Sequence, residues 1–425
     1  VRDTLQVAKK TVGAISRGIG FFARQDRDWK VSMVRTSVGL FFYRMVLPYM
    51  SVYVRELGAT GTQLGIVNSV GMSVAALAGP LTGWLIDRVG VKRIYLTGIL
   101  MLAVSYLVYA LAGGWAIIIV AMLGYWLGFG VSGHCCTVIC GNSLANEDRA
   151  TGMSLCETFA AGVLGITAPL LGAMLVTTFG GINVEGIRPL FFICLGGVVF
   201  TFFLVLTQLS NRKWGSLRES GLGFFRDISQ VFKQGRNLKR WLVIASIGNL
   251  PWFMLIPYVQ PFAYEVKGAD QYILGAMVTA FAVTPLVLGI PIGRLADKIG
   301  RKKVLYLIIP LVWAFSFLLI WAPSSGFLVV AGVLQGFIYM AAVVTGAMTF
   351  ELVPAEQMGR WMGVVRFCGW LLGAGGVYLG GVIWDHIGPQ YVFLAVIGLD
   401  LFIRIPLLMG MPETLDSRLG AEQSE

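Results

Sequence analysis

Apolar residues along this chain keep neither the period of two of a half-buried strand nor the narrow stripe of a surface helix. They run in blocks, near 32–56, 62–86, 93–112, 115–141, 151–179, 189–209, 241–264, 272–296, 303–322, 325–350, 361–384 and 390–410. A helix needs about 20 mostly apolar residues to cross the hydrocarbon core of a bilayer. Each block therefore predicts one transmembrane helix, twelve in all. Most connections are very short, which makes consecutive helices antiparallel neighbours. The long polar break at 210–240 divides the helices into two sets of six. The predicted organisation is an all-α membrane protein with a cytoplasmic amphipathic segment (1–30), a six-helix bundle (31–210), a cytoplasmic linker (211–240), a second six-helix bundle (241–411) and a cytoplasmic tail (412–425).

Composition agrees with that pattern. Of 425 residues, 56% are hydrophobic and only 13% charged, with a mean hydropathy of +0.76. A soluble domain is roughly 25% charged, so an ordinary cytosolic enzyme, a secreted disulfide scaffold and a disordered regulator are excluded. An outer-membrane barrel is excluded by the missing alternation. All six cysteines (Cys135, Cys136, Cys140, Cys156, Cys194 and Cys368) lie in apolar stretches, and no structural disulfide is expected.

Charge sets the expected orientation. With the N-terminus inside, 26 of the 33 Lys and Arg fall on inside segments and three (Arg55, Arg188, Lys267) on outside ends, leaving Arg35, Arg44, Arg366 and Arg404 within spans. Basic residues favour the cytoplasmic side, so both termini and the linker are expected there, in a plasma membrane. The net charge of +11 is then topology plus attraction to anionic lipid, and no nucleic-acid partner is expected. In residues 1–30, Leu5, Ala8, Val12, Ile15, Ile19 and Phe22 share one helical face. That segment reads as an interfacial helix or a basic tail, not as a signal peptide.

The two halves repeat each other. Pro48-Tyr49 returns as Pro257-Tyr258, and Gly128-Phe129 as Gly336-Phe337. Gly83-x-x-x-Asp87-Arg88-x-Gly90-x-Lys92-Arg93 returns as Gly293-x-x-x-Asp297-Lys298-x-Gly300-x-Lys302-Lys303, and Arg149-x-x-Gly152 as Arg360-x-x-Gly363. The offsets of 209, 208, 210 and 211 residues are those of a duplicated six-helix unit. With two copies of the GxxxD(R/K)xGxK motif, each just after the second helix of its half, the chain resembles the major facilitator superfamily over residues 31–411. The resemblance implies two pseudo-symmetric bundles around a central cavity and transport by alternating access. Two weaker features resemble the drug–proton antiporters of that superfamily. Their helix-four Arg-x-x-Gln-Gly is replaced here by Gly124-Tyr125-Trp126-Leu127-Gly128, although Leu334-Gln335-Gly336 survives in helix ten. Their Gly-rich helix five survives in part as Gly162-x-x-Gly165-x-x-Ala168-Pro169-x-x-Gly172.

The motif also has direct chemistry. Gly83 offers a bare surface to the opposite bundle. Asp87 can face the positive end of a helix of the other half, and Arg88, Lys92 and Arg93 surround it and hold it ionised. Together with Gly293 and Asp297, and with Arg149, Arg360 and Arg366, these residues read as gating groups of the cytoplasmic side. Charges within the span are costly and mark function by default. Arg44, near the middle of helix one, is the leading candidate, either binding an anionic solute or pairing with an internal carboxylate. The resemblance places helices one and seven at the cavity. Phe41, Tyr49, Asn249, Trp252, Phe253, Tyr258 and Gln260, with His134 and Tyr339, then become candidate substrate contacts suited to an amphipathic solute. Glu157 and His134 are candidate proton carriers; Glu157 equally suits an ion pair with Arg149, and His134 a plain hydrogen bond. Asp400 and Arg404, four apart on helix twelve, should neutralise each other. His134, Cys136, Cys140 and Cys156 leave a soft-metal site open as an alternative to simple packing.

The expectation is a monomeric secondary transporter of a small organic solute, amphipathic and of anionic character, leaning to efflux. It needs no cofactor, and a proton or other ion gradient drives it. Proton-coupled uptake of an organic anion or sugar-like metabolite is the alternative. A non-transporting receptor is the alternative of another class, disfavoured by the short flanking segments. No Ser/His/Asp set, phosphate loop or metal motif points to an enzyme.

Overall fold

The computed structural model of the protein describes residues 21–145, 152, 163–212, 236–353, 358–411 and 413–414. Arg149, Cys156, Glu157 and most of the first 30 residues lie outside it, as do the surroundings of Gly83 and the side chains of Asp87 and Arg360. The first half contains α1 (Arg27–Glu56), α2 (Gly61–Val89), α3 (Val91–Leu111), α4 (Ile118–Ser143), α5 (Val163–Thr178) and α6 (Val184–Gln208). In the second, α7 comprises Arg236–Gly248, Leu250–Pro261 and a π turn, Phe262–Val266. There follow α8 (Gln271–Ile299), α9 (Arg301–Trp321), α10 (Ser325–Leu352) and α11 (Met358–His386). α12 comprises Pro389–Leu399, a π turn at Asp400–Arg404, and Ile405–Met409. Among the described residues ten helices are long and apolar enough to cross a membrane; α2 is a further 29-residue helix, and α5 shows 16 described residues.

Local chemistry sets the helix ends. Thr60 and Gln63 form a reciprocal capping box that starts α2. Asn183 caps α6 through the Gly186 N–H at 2.7 Å, and Asp270 caps α8 through the Ile273 N–H at 2.8 Å. One glycine at positive φ turns α2 into α3 (Gly90, 96°), and one turns α8 into α9 (Gly300, 106°). The repeat is thus visible in the backbone. It extends to the lysine two residues on. Lys92 Nζ donates to the Leu209 carbonyl at the end of α6 (2.7 Å), and Lys302 Nζ donates to Met409 and Met411 at the end of α12 (3.1 and 2.6 Å). Each ammonium meets the unpaired carbonyls of a helix C-terminus, where positive charge is favoured.

The hydropathy block marks the first helix from 32, yet α1 begins at Arg27. Trp29 is fully buried, and the buried Asp28 carboxylate accepts from the Ser210 N–H (2.8 Å) and from the Ser210 hydroxyl. Polar anchoring to the end of α6 extends α1 beyond its apolar stretch.

α1 starts and α12 ends at one end of the molecule, hereafter the terminus end. Within the halves α3 lies on α4 and α6, and α9 on α10. Across the halves α2 runs along α11 and α5 along α8. At the far end one buried cluster is continuous through both halves, from Tyr53 and Phe191 to Tyr258, Phe262 and Phe393. A second cluster, with Trp241, Val304, Met348 and Trp361, belongs to the second half at the terminus end. A third, with Trp29 and Met33, belongs to the first half. The core is shared at the far end and divided at the other.

Candidate functional site

Polar groups joining the halves gather from the far end to the middle. Arg55 on α1 pairs with Glu265 on α7 through two bonds, at 2.7 and 2.8 Å. The Asp385 carboxylate, at the end of α11, accepts from the backbone N–H groups of Gly61 (2.8 Å) and Thr62 (2.7 Å) at the start of α2. Ser69 donates to the Ala374 carbonyl (2.6 Å), Tyr49 to that of Gln271 (2.9 Å) and Thr279 to that of Ile166 (3.0 Å). A side chain at Gly381 would strike the Gly61 carbonyl, and one at Gly275 would come 2.8 Å from that of Pro169. The same helices separate toward the terminus end, where Gly79 on α2, Gly289 and Gly293 on α8 and Gly363 on α11 have nothing within 4 Å of a would-be Cβ. Charged groups there turn to their own half. Asp297 pairs with Arg301, which also meets Glu351 at 3.2 Å, and Arg240 donates to the Gly410 carbonyl. The halves are closed at the far end and parted at the terminus end.

Between them lies a cleft of about 130 Å³, walled by α2, α4 and α11. Trp126, His134, Arg366 and Trp370 line it, beside Ala75, Ala78 and Gly79. The Arg366 guanidinium lies over the Trp370 ring (4.8 Å), and Trp370 meets Trp126 edge-on at 5.5 Å. His134 turns Nδ1 to the Gly130 carbonyl (2.8 Å), one helical turn back. Trp126 also meets Phe253 of α7 (6.3 Å), which links this wall to a second aromatic group deeper in the interface. There Trp252 stacks on Phe281 of α8 at 5.6 Å, and the Arg44 guanidinium lies 5.8 Å from the same Phe281 ring. Arg44 packs against Gly165 of α5, and its Nη1 is buried without a hydrogen-bond partner among the described residues. Tyr43 stacks on Tyr125 behind it (5.7 Å).

The predicted candidates therefore divide by depth. His134 and Arg366 line the cleft, Phe253 touches Trp126 of its wall, and Trp252 and Arg44 meet on Phe281 outside its lining. Phe41 packs edge-on against Phe42, and Tyr339 is half exposed on α10. Asn249 sits at the break in α7, donating to the Ala245 carbonyl. Tyr49, Tyr258 and Gln260 are buried in the sealed part: Tyr258 is fully enclosed and donates to the Val377 carbonyl at 2.7 Å, and Gln260 Oε1 has no partner among the described residues. Asp400 and Arg404 lie remote from the cleft, buried together at 3.4 Å, with Trp313 Nε1 on the other Asp400 oxygen (3.2 Å). Arg88 and Arg93 are exposed at the terminus end. Cys136 meets the hydroxyls of Ser32 and Thr36. Glu157, Arg149 and Cys156 lie outside the described residues. Phe281 and Trp370 were not singled out in the sequence, where nothing separates them from other aromatics of the spans, and Trp126 stood out there only within the altered helix-four stretch.

A family model described as Major Facilitator Superfamily matches residues 36–275 and 241–423. The chain belongs to the major facilitator superfamily. It is a secondary transporter and a multi-pass membrane protein. Multidrug resistance protein MdtG of Dickeya zeae is 28% identical over 294 residues, covering 65% of this chain and 69% of MdtG. MdtG of Escherichia coli is 26% identical over 294 residues with the same coverage. Among solved structures, the nucleoside transporter NupG superposes with a TM-score of 0.71 at 14% identity, over 90% of this chain and 99% of NupG. The human organic anion transporter MFSD10 (TETRAN) does so with a TM-score of 0.60 at 18% identity, over 90% and 99%. These structures share the superfamily fold.

Proposed function

We propose that this transporter exports an amphipathic organic anion across the plasma membrane by alternating access, with the terminus end in the cytoplasm. The observation that carries the reading is Arg44. Its permanently charged guanidinium is held among Phe281, Trp252 and the bare backbone of Gly165, with a buried N–H that no described residue satisfies. A buried donor of that kind costs about 1–3 kcal/mol when unmade, and an anionic solute or cavity water offsets it. Aromatic walls suit the apolar part of such a solute. An inside-negative potential favours outward movement of an anion, by about 2.3 kcal/mol per charge per 100 mV. The relatives named as multidrug resistance proteins point to efflux too. In proteoliposomes, aryl and alkyl carboxylates should move down the electrical gradient with wild-type protein and not with Arg44→Ala. Equal transport by both would overturn the reading.

Proton-coupled uptake is the second reading, favoured by His134 in the cleft wall. Accumulation driven by an imposed pH gradient at zero potential, abolished in His134→Gln, would select it.

A further inference from the structure

Arg366 lines the cleft, whereas Arg44 packs against Phe281 and Gly165 outside that lining. The nearest ring to the Arg366 guanidinium is that of Trp370, 4.8 Å away. Trp126 meets Trp370 edge-on and packs its pyrrole edge against Gly71 of α2. Arg366 thus borders the cleft as a donor group with no carboxylate partner among the described residues. Opposite it, α2 presents Ala75, Ala78 and Gly79, and a side chain at Gly79 would meet nothing within 4 Å. A wall of small residues facing two indole rings leaves a slot, flat on one side and aromatic on the other. His134 already places Nδ1 on the Gly130 carbonyl, so its Nε2 edge is the one left for other partners.

We propose that this slot is a second binding subsite of the transporter, taking a planar aromatic ring that carries a carboxylate or similar anionic group. The ring lies between the indoles of Trp126 and Trp370 and the small-residue face of α2. The anionic group meets the Arg366 fork. Arg44 and Arg366 are then two separate anion positions, and only the second requires a flat ring. The subsite rests on the reading of the protein as an anion transporter and narrows its solutes to aromatic acids.

The test is binding to the purified full chain by titration calorimetry with three probes: 1-naphthoate, the neutral 1-naphthylmethanol, and octanoate, an anion without a ring. Arg366→Gln should weaken 1-naphthoate by about tenfold, the usual worth of one charge-assisted pair, and leave 1-naphthylmethanol unchanged. Trp370→Leu should weaken both naphthyl probes and spare octanoate. Arg366→Lys, which keeps the charge and loses the planar fork, should fall between wild type and Arg366→Gln, and it serves should the Gln variant fail to fold. Wild-type affinity for 1-naphthoate in Arg366→Gln and Trp370→Leu, with loss in Arg44→Ala, would overturn the subsite and leave the anion reading standing. Wild-type affinity in all of these variants would overturn both. Equal loss of octanoate and 1-naphthoate in Trp370→Leu would overturn the ring requirement.

Discussion

Arg55 and Glu265 clamp the two halves together at the far end, the guanidinium edge meeting both carboxylate oxygens. The same arginine donates to the Ala59 carbonyl (2.7 Å) and lies 5.9 Å from the Trp384 ring. The ion pair itself joins groups 210 positions apart in sequence.

Glu265→Gln should loosen the far end. A hydrogen bond to a charged group is worth about 1.5–3 kcal/mol, which moves the balance between the two conformations roughly 10- to 100-fold. Spin-label distances between the far ends of α2 and α11 should lengthen. Distances that stay at the wild-type value would show that the pair is a bystander.

Asp87→Asn should act in the opposite direction. Asp87 closes α2 at the terminus end, where the halves of this conformation are parted, so its loss should deplete the alternative, terminus-closed state. Accessibility of single cysteines at the terminus end should rise. Because the two sites are far apart, the double variant with Glu265→Gln should show near-additive, opposing shifts. Asp297→Asn should matter less, since Asp297 is spent on Arg301 of its own half.

Arg44→Lys should keep transport and lose affinity. The ammonium preserves the charge but not the planar donor fork. Arg44→Ala should fold and lose anion transport. If it instead fails to fold, with Arg44→Lys normal in every respect, the residue serves packing alone.

Asp400→Asn should destabilise the protein without touching solute binding. Breaking one side of a buried pair costs about 3–5 kcal/mol, because the partner charge is left uncompensated. The combined Asp400→Leu, Arg404→Met variant should recover most of the thermal stability. A single variant as stable as wild type would mean that Arg404 finds water or another acceptor.

Much of the fold was legible in the sequence. The span pattern follows from hydropathy, and Gly90 and Gly300 occupy equivalent turns as the repeat requires. The start of α1 was not, because it depends on Asp28 reaching Ser210, 182 positions away. The ties of Lys92 and Lys302 to α6 and α12 were hidden for the same reason. In the site, Arg44 stood out because charge within a span is costly. Depth was harder to read. Tyr49 and Arg44 are close along α1, yet one bonds across the seal and the other keeps a buried N–H without a partner among the described residues. Helical periodicity reports the face of a residue, and only the crossing of α2 with α11 and α5 with α8 decides where the cleft stops. Phe281 and Trp370 matter through the guanidinium each lies against, a relation between helices that composition does not carry.

The Gly61–Gly381 crossing sets how tightly a membrane is held shut. Backbone lies close on backbone there, and the Thr62 hydroxyl bonds across to the Gly381 carbonyl. A thermal fluctuation of one rotamer therefore cannot admit a file of water. Opening requires the two helices to move apart together, breaking the Asp385 bonds to Gly61 and Thr62 in the same event. The barrier to ion leak is thus the barrier of the whole conformational step, and a cleft standing open to one side need not dissipate the gradient across the other.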